Sequence, residues 1–190
     1  MKSKLKKSSR KVADRLSAKK SMKSKSVQND ILEIIKQDHK PLKALLNILK
    51  DSETEFTDKK PAFEEFAPLL LSHAEPEQES LYAHMKDEDE LRTESFEGET
   101  EHAIASQLIE EINQTSEEDE WMAKVKVLAE MVEHHILEEE QELFKDIKKE
   151  LDSETRIALG KEYIRLRDDY RIQNSIPVAQ KKRETEVRVH

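Results

Sequence analysis

Four histidines and two glutamates recur in register along this chain. HAEPEQESLY, from His73, places Glu at +4, Leu at +8 and an aromatic at +9; HILEEEQELF, from His135, does the same. Upstream of each, DHKPLKALLNIL from Asp38 and EHAIASQLIEEI from Glu101 set an acid beside a histidine. Apolar or small residues follow that histidine at +3, +6, +7 and +10. The histidines of a pair stand 34 residues apart in the first copy and 33 in the second. One helix pair is written twice, with His39, His73, His102 and His135 at equivalent places.

The neighbours say which way these residues face. Phe66, Leu70, His73, Glu77 and Leu81 follow each other by four, three, four and four, the spacing of a core-facing helical stripe. Ile35, His39, Leu42 and Leu46 line another, as do His102, Ala105, Ile109 and Ile112. Val125, Leu128, Val132, His135, Glu139, Leu143 and Ile147 make a fourth. His134 and Glu138 offer a competing pair, but their stripe turns polar at Lys145, so repeat and stripe both choose His135 and Glu139. His84 and His190 have no counterpart and read as solvated.

A lone histidine on an apolar face is usually a hydrogen-bonded core residue, and the run LEEEQE is usually a solvated face. Four histidines and two glutamates repeated in register are not explained that way. Two buried carboxylates repel, and an unpaired buried charge is costly. Metal ions remove the difficulty by turning carboxylates and imidazoles into ligands. Six donors exceed what one tetrahedral zinc takes. They suit two ions, each with two imidazoles, bridged by Glu77 and Glu139. Imidazole and carboxylate without thiolate favour iron, then manganese or zinc.

The elements that must position these residues are helices. Glu, Lys and Leu are abundant, while two glycines and few aromatics argue against sheets. The periodicity predicts helices over about Gln28–Asp51, Lys59–Lys86, Phe96–Gln114 and from just after Ser116 to about Glu150. Asp58 is the expected N-cap of the second, and Ser116 opens a capping-box-like sequence before the fourth. LDSETRIALGKEYIRLRDDY reads as a shorter fifth helix capped by Asp152 or Ser153. Pro41 should bend the first helix, Pro61 suits the first turn of the second, and Pro76 should kink it beside its histidine and glutamate. The economical all-α solution is an antiparallel up-down-up-down four-helix bundle over residues 27–170, with that short fifth helix.

Residues 1–26 read as a disordered basic arm and 171–190 as a loose tail. The arm carries eleven Lys or Arg and one Asp, about +10, against a net charge of −9 for the whole, so the rest is about −19. An acidic body of that kind does not suit nucleic acid. The arm is read either as a solubilising or targeting tail or as a polyanion binder, with weak, sequence-insensitive nucleic-acid contacts through phosphates alone. Absence of cysteine excludes disulfides and thiolate sites. No apolar run suits a membrane span and no apolar segment follows the basic N-terminus, so a cytoplasmic location is expected.

DHKPLKALL, HAEPEQESLY, EHAIASQLI and HHILEEEQELF together resemble the hemerythrin-like, or HHE cation-binding, family over about Val27 to Tyr170. The resemblance implies a four-helix bundle around a non-heme di-iron centre with ligands His39, His73, Glu77, His102, His135 and Glu139. Oxygen-carrying members have a further histidine one turn along the third helix. Here Ser106 and Gly98 flank His102 at +4 and −4, so a position is left for water, oxygen, peroxide or nitric oxide. Three uses follow: binding or sensing oxygen, nitric oxide or iron; an enzyme acting on peroxide or in iron or nitrosative stress, with Tyr82 or Tyr163 as proton shuttles; or a structural adaptor whose arm is the working part.

Overall fold

In the computed structural model the described residues, 29–176, are all helical apart from short connections. The elements are α1 (Ile31–Lys50), α2 (Phe56–Glu77), a π segment π1 (Gln78–Tyr82), α3 (Ala83–Met85), α4 (Arg92–Gln114), α5 (Glu118–Glu138), a second π segment π2 (Glu139–Leu143), α6 (Phe144–Glu150) and α7 (Ser153–Gln173). They pack as a helical bundle: α1 lies against α2 and α5, α4 against α5, and α7 against both α1 and α2. None of these helices is long and apolar enough to cross a membrane. The basic arm, and residues 177–190 of the C-terminal tail, lie outside the described residues.

Helix starts follow the cap chemistry, not always at the expected residue. Asp30 Oδ1 accepts the Leu32 amide (3.1 Å) and Asp152 Oδ1 the Thr155 amide (2.8 Å), each satisfying an orphan donor of the first turn. Glu117, and not Ser116, caps α5, accepting the amides of Asp119 (3.1 Å) and Glu120 (2.6 Å). α2 begins at Phe56 ahead of the expected Asp58 cap, which leaves Asp58 inside the first turn and Pro61 beyond it. Packing moved that boundary: the Phe56 ring meets Trp121 edge-on at 5.0 Å. α4 begins at Arg92, earlier than Phe96, because Leu91 is the buried anchor while Phe96 is half exposed, under the Lys86 ammonium.

Two apolar clusters form the core. One gathers Leu42, Leu46, Phe66, Leu70, Ile109, Trp121, Val125 and Leu128. The other gathers Ile31, Ile35, Leu81, Tyr82, Leu91, Phe144, Ile147 and Tyr163. Three of the long helical runs pass from one cluster to the other, α4 starts just after Leu91 of the second and runs into the first, and the polar residues of the repeat sit at the crossing. On α1, His39 falls between Ile35 and Leu42; on α2, His73 and Glu77 fall between Leu70 and Leu81.

The π segments occupy equivalent places, each beginning at or just after the repeated glutamate. α1 and α2 run as helices through Pro41, Pro61, Pro68 and Pro76. Since π2 contains no proline, Pro76 is not what the two wide turns share. In the first copy Leu81 stays buried four residues after Glu77, whereas the second copy shifts register. A π turn inserts one residue, so the inward step after Glu139 is five, to Phe144, then three, to Ile147. The expected stripe residue Leu143 is displaced to a half-buried position.

α7 comes close enough to hold the centre through Gly160. A Cβ there would stand 2.1 Å from the Asn29 carbonyl oxygen and 3.0 Å from the Ile31 amide nitrogen. Any side chain would lift α7 off the start of α1, where Arg156 Nε donates to Asp30 (2.9 Å).

Candidate metal centre

All six residues of the repeat converge between the apolar clusters, and each is at most 5% exposed. Their donor atoms form two groups: His39, His73 and Glu139; and Glu77, His102 and His135. Each carboxylate reaches across both groups through one oxygen. Glu139 Oε2 lies 3.2 Å from His39 Nε2 and 3.7 Å from His135 Nε2. Glu77 Oε2 lies 3.3 Å from His73 Nε2 and 4.0 Å from His102 Nε2. His102 Nε2 and His135 Nε2 face each other at 3.1 Å. The competing pair His134–Glu138 is exposed on the outer face of α5.

Three of the four imidazoles are gripped from behind, which turns Nε2 inward. His39 Nδ1 donates to Glu140 Oε1 (2.9 Å) and His135 Nδ1 to Glu101 Oε2 (2.6 Å). His73 Nδ1 donates to the Tyr163 oxygen (3.0 Å), whose own hydroxyl donates to Asp38 Oδ2 (2.8 Å). Arg167 Nη1 completes the chain, 2.7 Å from both Asp38 oxygens. Such partners fix the tautomer and orientation of a ligating histidine. The acid preceding each α1 and α4 histidine thus serves the histidine of the next helix: Glu101 directly, Asp38 through Tyr163. The paired acid-histidine steps carried that signal in the sequence, whereas Glu140 was hidden in an acidic run and Arg167 had no signal.

Aromatic packing repeats the same symmetry. The +9 aromatic Phe144 stacks on His39 (6.5 Å, 7°), and its counterpart Tyr82 stacks on His102 (5.4 Å, 27°). The copies then diverge, since the Tyr82 hydroxyl also donates to Glu139 Oε1 (2.8 Å). His84, the sequence-predicted bystander, is half-buried away from these contacts.

The protons of this cluster are distributed by burial and mutual charge. Burial holds His73 and His102 well below the usual imidazole range. Burial, then the Glu139 charge, pushes Glu77 well above the usual carboxylate range. Glu139 is held low by the charges of His135 and His39 although its own burial opposes this. Conversely, Glu139 and Glu101 raise His135 against its burial. Burial and the Glu139 charge favour the proton on Glu77 while the facing histidines favour the charge on Glu139, and these opposite shifts ease the repulsion between two facing carboxyl groups.

The donor set also tests what belongs here. His39 Nε2, His73 Nε2, both Glu77 oxygens and Glu139 Oε2 are buried without a hydrogen-bond partner. Native interiors seldom leave such atoms unsatisfied. Here they cluster and point inward, as ligand atoms would. Imidazole nitrogens and carboxylate oxygens in these numbers fit transition-metal cations.

Gly98 keeps this arrangement intact on the α4 side. A Cβ there would lie 2.6 Å from Tyr82 Cζ and Oη, and that ring is fully buried. Gly98→Ala should therefore cost about 1–3 kcal/mol of stability and displace the hydroxyl from Glu139. Urea unfolding of Gly98→Ala alone and combined with Tyr82→Leu checks this: the cost should largely disappear in the double variant. An undiminished cost would place the strain elsewhere.

A helical bundle whose buried layer is made of histidine and carboxylate donors defines a cation-binding bundle. The family model described as hemerythrin HHE cation binding domain matches residues 30–147, and the chain belongs to that family. The match ends before α7, which supplies Tyr163 and Arg167. Comparison with curated proteins and with solved structures gave no match.

Proposed function

We propose that this chain holds two non-heme iron ions and uses them to bind or sense oxygen, nitric oxide or iron. His39 and His73 would serve one ion, His102 and His135 the other, with Glu77 and Glu139 bridging in an antiparallel up-down-up-down four-helix frame. The observation that carries this is the set of buried, unpartnered inward nitrogens and oxygens, each carboxylate oxygen reaching both histidine groups. Iron in such a setting supplies redox chemistry and open coordination positions. The chain's own part is to orient the imidazoles through Glu140, Tyr163 and Glu101 and to exclude water with the flanking apolar clusters. Elemental analysis with an absorption spectrum after anaerobic iron loading tests it. About two irons per chain, with charge-transfer absorption in the near ultraviolet on oxidation, are expected; manganese or zinc retained in preference would reassign the metal.

A second reading, an enzyme consuming peroxide, is favoured by one feature. Tyr82, whose hydroxyl donates to Glu139, is also among the residues lining a cavity beside α4, so it can hold a proton at the carboxylate. Peroxide consumption by the iron-loaded protein, lost in Tyr82→Phe, would select this reading.

A further inference from the structure

The two halves of the centre are covered differently. Behind the first copy, α7 packs over α1 and α2 with Tyr163 inserted to His73, and Ile35 fills the place one turn before His39. At the equivalent place before His102 stands Gly98, with the Tyr82 ring packed against it, and no helix like α7 covers this side of α4 and α5 among the described residues. A cavity of about 210 Å³ opens there. Its floor is Tyr82, His135 and Glu139, the last 2% exposed with its Oε2 unpartnered.

The walls of this cavity are acidic. Glu94, Glu97, Glu101, Glu138, Glu142 and Asp146 line it, with no lysine or arginine among the lining residues. Three are already engaged: Glu101 by His135, Glu138 by His134 and Asp146 by Lys149. Glu94, Glu97 and Glu142 have no cationic partner among the described residues. A second cavity touching the centre measures about 10 Å³ and is walled mostly by apolar side chains, among them Leu70, Ala74, Ala105 and Val132. That is about one water-sized probe, too narrow for a hydrated ion, and apolar walls would not replace its waters.

We propose that the acidic cavity is the entrance through which hydrated divalent cations reach the buried centre, a proposal that rests on the metal-centre reading. The larger cavity, about 210 Å³ against about 10 Å³ for the other, has room for several waters, enough for a cation with its hydration shell. One sign of charge in a concave, low-dielectric wall concentrates counter-ions and raises their arrival rate. The free carboxylates of Glu94, Glu97 and Glu142 attract the ion, and their oxygens exchange for its waters. Glu139 and His135 at the floor then receive it. The same field disfavours anions, so the entrance admits cations selectively.

The test is the rate of cobalt(II) uptake by the apo full-length chain, followed by visible absorption in stopped flow. Compared with wild type are Glu97→Gln/Glu142→Gln, which neutralises two unengaged wall carboxylates, and Glu64→Gln/Glu65→Gln, which makes the same charge change on an exposed face of α2. At about 10 mM salt, where charges act over about 30 Å, uptake by the entrance variant should slow at least about fivefold. The control should slow less than about twofold. The difference should collapse near 1 M salt, while final stoichiometry and spectrum stay those of wild type. Equal low-salt rates for wild type and entrance variant, with normal final stoichiometry, would overturn the entrance alone. A wild-type protein that takes up no metal even at equilibrium would overturn the metal-centre reading and the entrance with it.

Discussion

Glu139→Ala protein, loaded with iron and freed of excess, is expected to retain less than half the metal of wild type, while Glu138→Ala retains the full complement. The two residues are adjacent and chemically identical, so composition and net charge cancel in the comparison. What separates them is placement. Glu139 is buried, with Oε2 3.2 Å from His39 and 3.7 Å from His135, whereas Glu138 faces solvent beside His134. Removing a group that orients a metal ligand typically costs 10–100-fold in affinity, and removing a carboxylate that reaches both histidine groups should cost more. Glu77→Ala is expected to match Glu139→Ala. The assay is metal per chain by elemental analysis at equal protein concentration. Equal retention by the Glu138 and Glu139 variants would overturn the register.

The second large effect is on stability. Iron-free protein should melt well below the loaded form, because ligand that binds only the folded chain stabilises by about 4 kcal/mol at a thousand times its dissociation constant. For a domain of this size that is roughly 10 °C. The apo protein should also carry a distinctive pH profile. His73 and His102 stay neutral when folded but take up protons when unfolded below about pH 6.5. Their contribution is therefore lost as pH falls through that value. Glu77, raised by burial, acts oppositely: folded chain keeps its proton where unfolded chain has lost it, so its contribution grows as pH falls toward the ordinary carboxylate value. His135, raised by Glu139 and Glu101, has its full contribution below about pH 6.5 and adds no slope there.

Two histidines against one glutamate leave a net uptake of protons on unfolding below about pH 6.5, so the stability of the apo protein falls on acidification through that range. In loaded protein protons compete with metal for the same nitrogens, so the gain from metal should be largest near neutral pH and shrink with acid. Thermal melts with and without chelator, at several pH values, read both effects. A melting curve indifferent to chelator at pH 7 would mean that the six residues form an ordinary polar network.

Much of this centre was legible along the chain because helices are local. A period near 3.6 reports which side of a helix a residue occupies, and a repeat in register reports that two helix pairs meet alike. His39, His73, Glu77, His102, His135 and Glu139 could be read as a buried set from spacing alone, and so could the preference for His135 over His134. Helix starts were less legible at Phe56 and Arg92, where the anchors are a ring meeting Trp121 and a buried Leu91, contacts that no cap signal announces.

The wide turns after the two glutamates also escaped, because a step of five looks like noise in a pattern of threes and fours until Phe144 is seen inward and Leu143 half out. The supports of the centre needed the folded chain as well. Tyr163 lies 90 residues from His73 and Glu140 lies 101 from His39, and no local periodicity encodes a partner at that separation. The acidic cavity belongs to the same class: Gly98, Glu97 and Glu142 are unremarkable one by one. The opening lies on a side of the bundle that α7 does not cover, and that depends on which helices pack where in three dimensions.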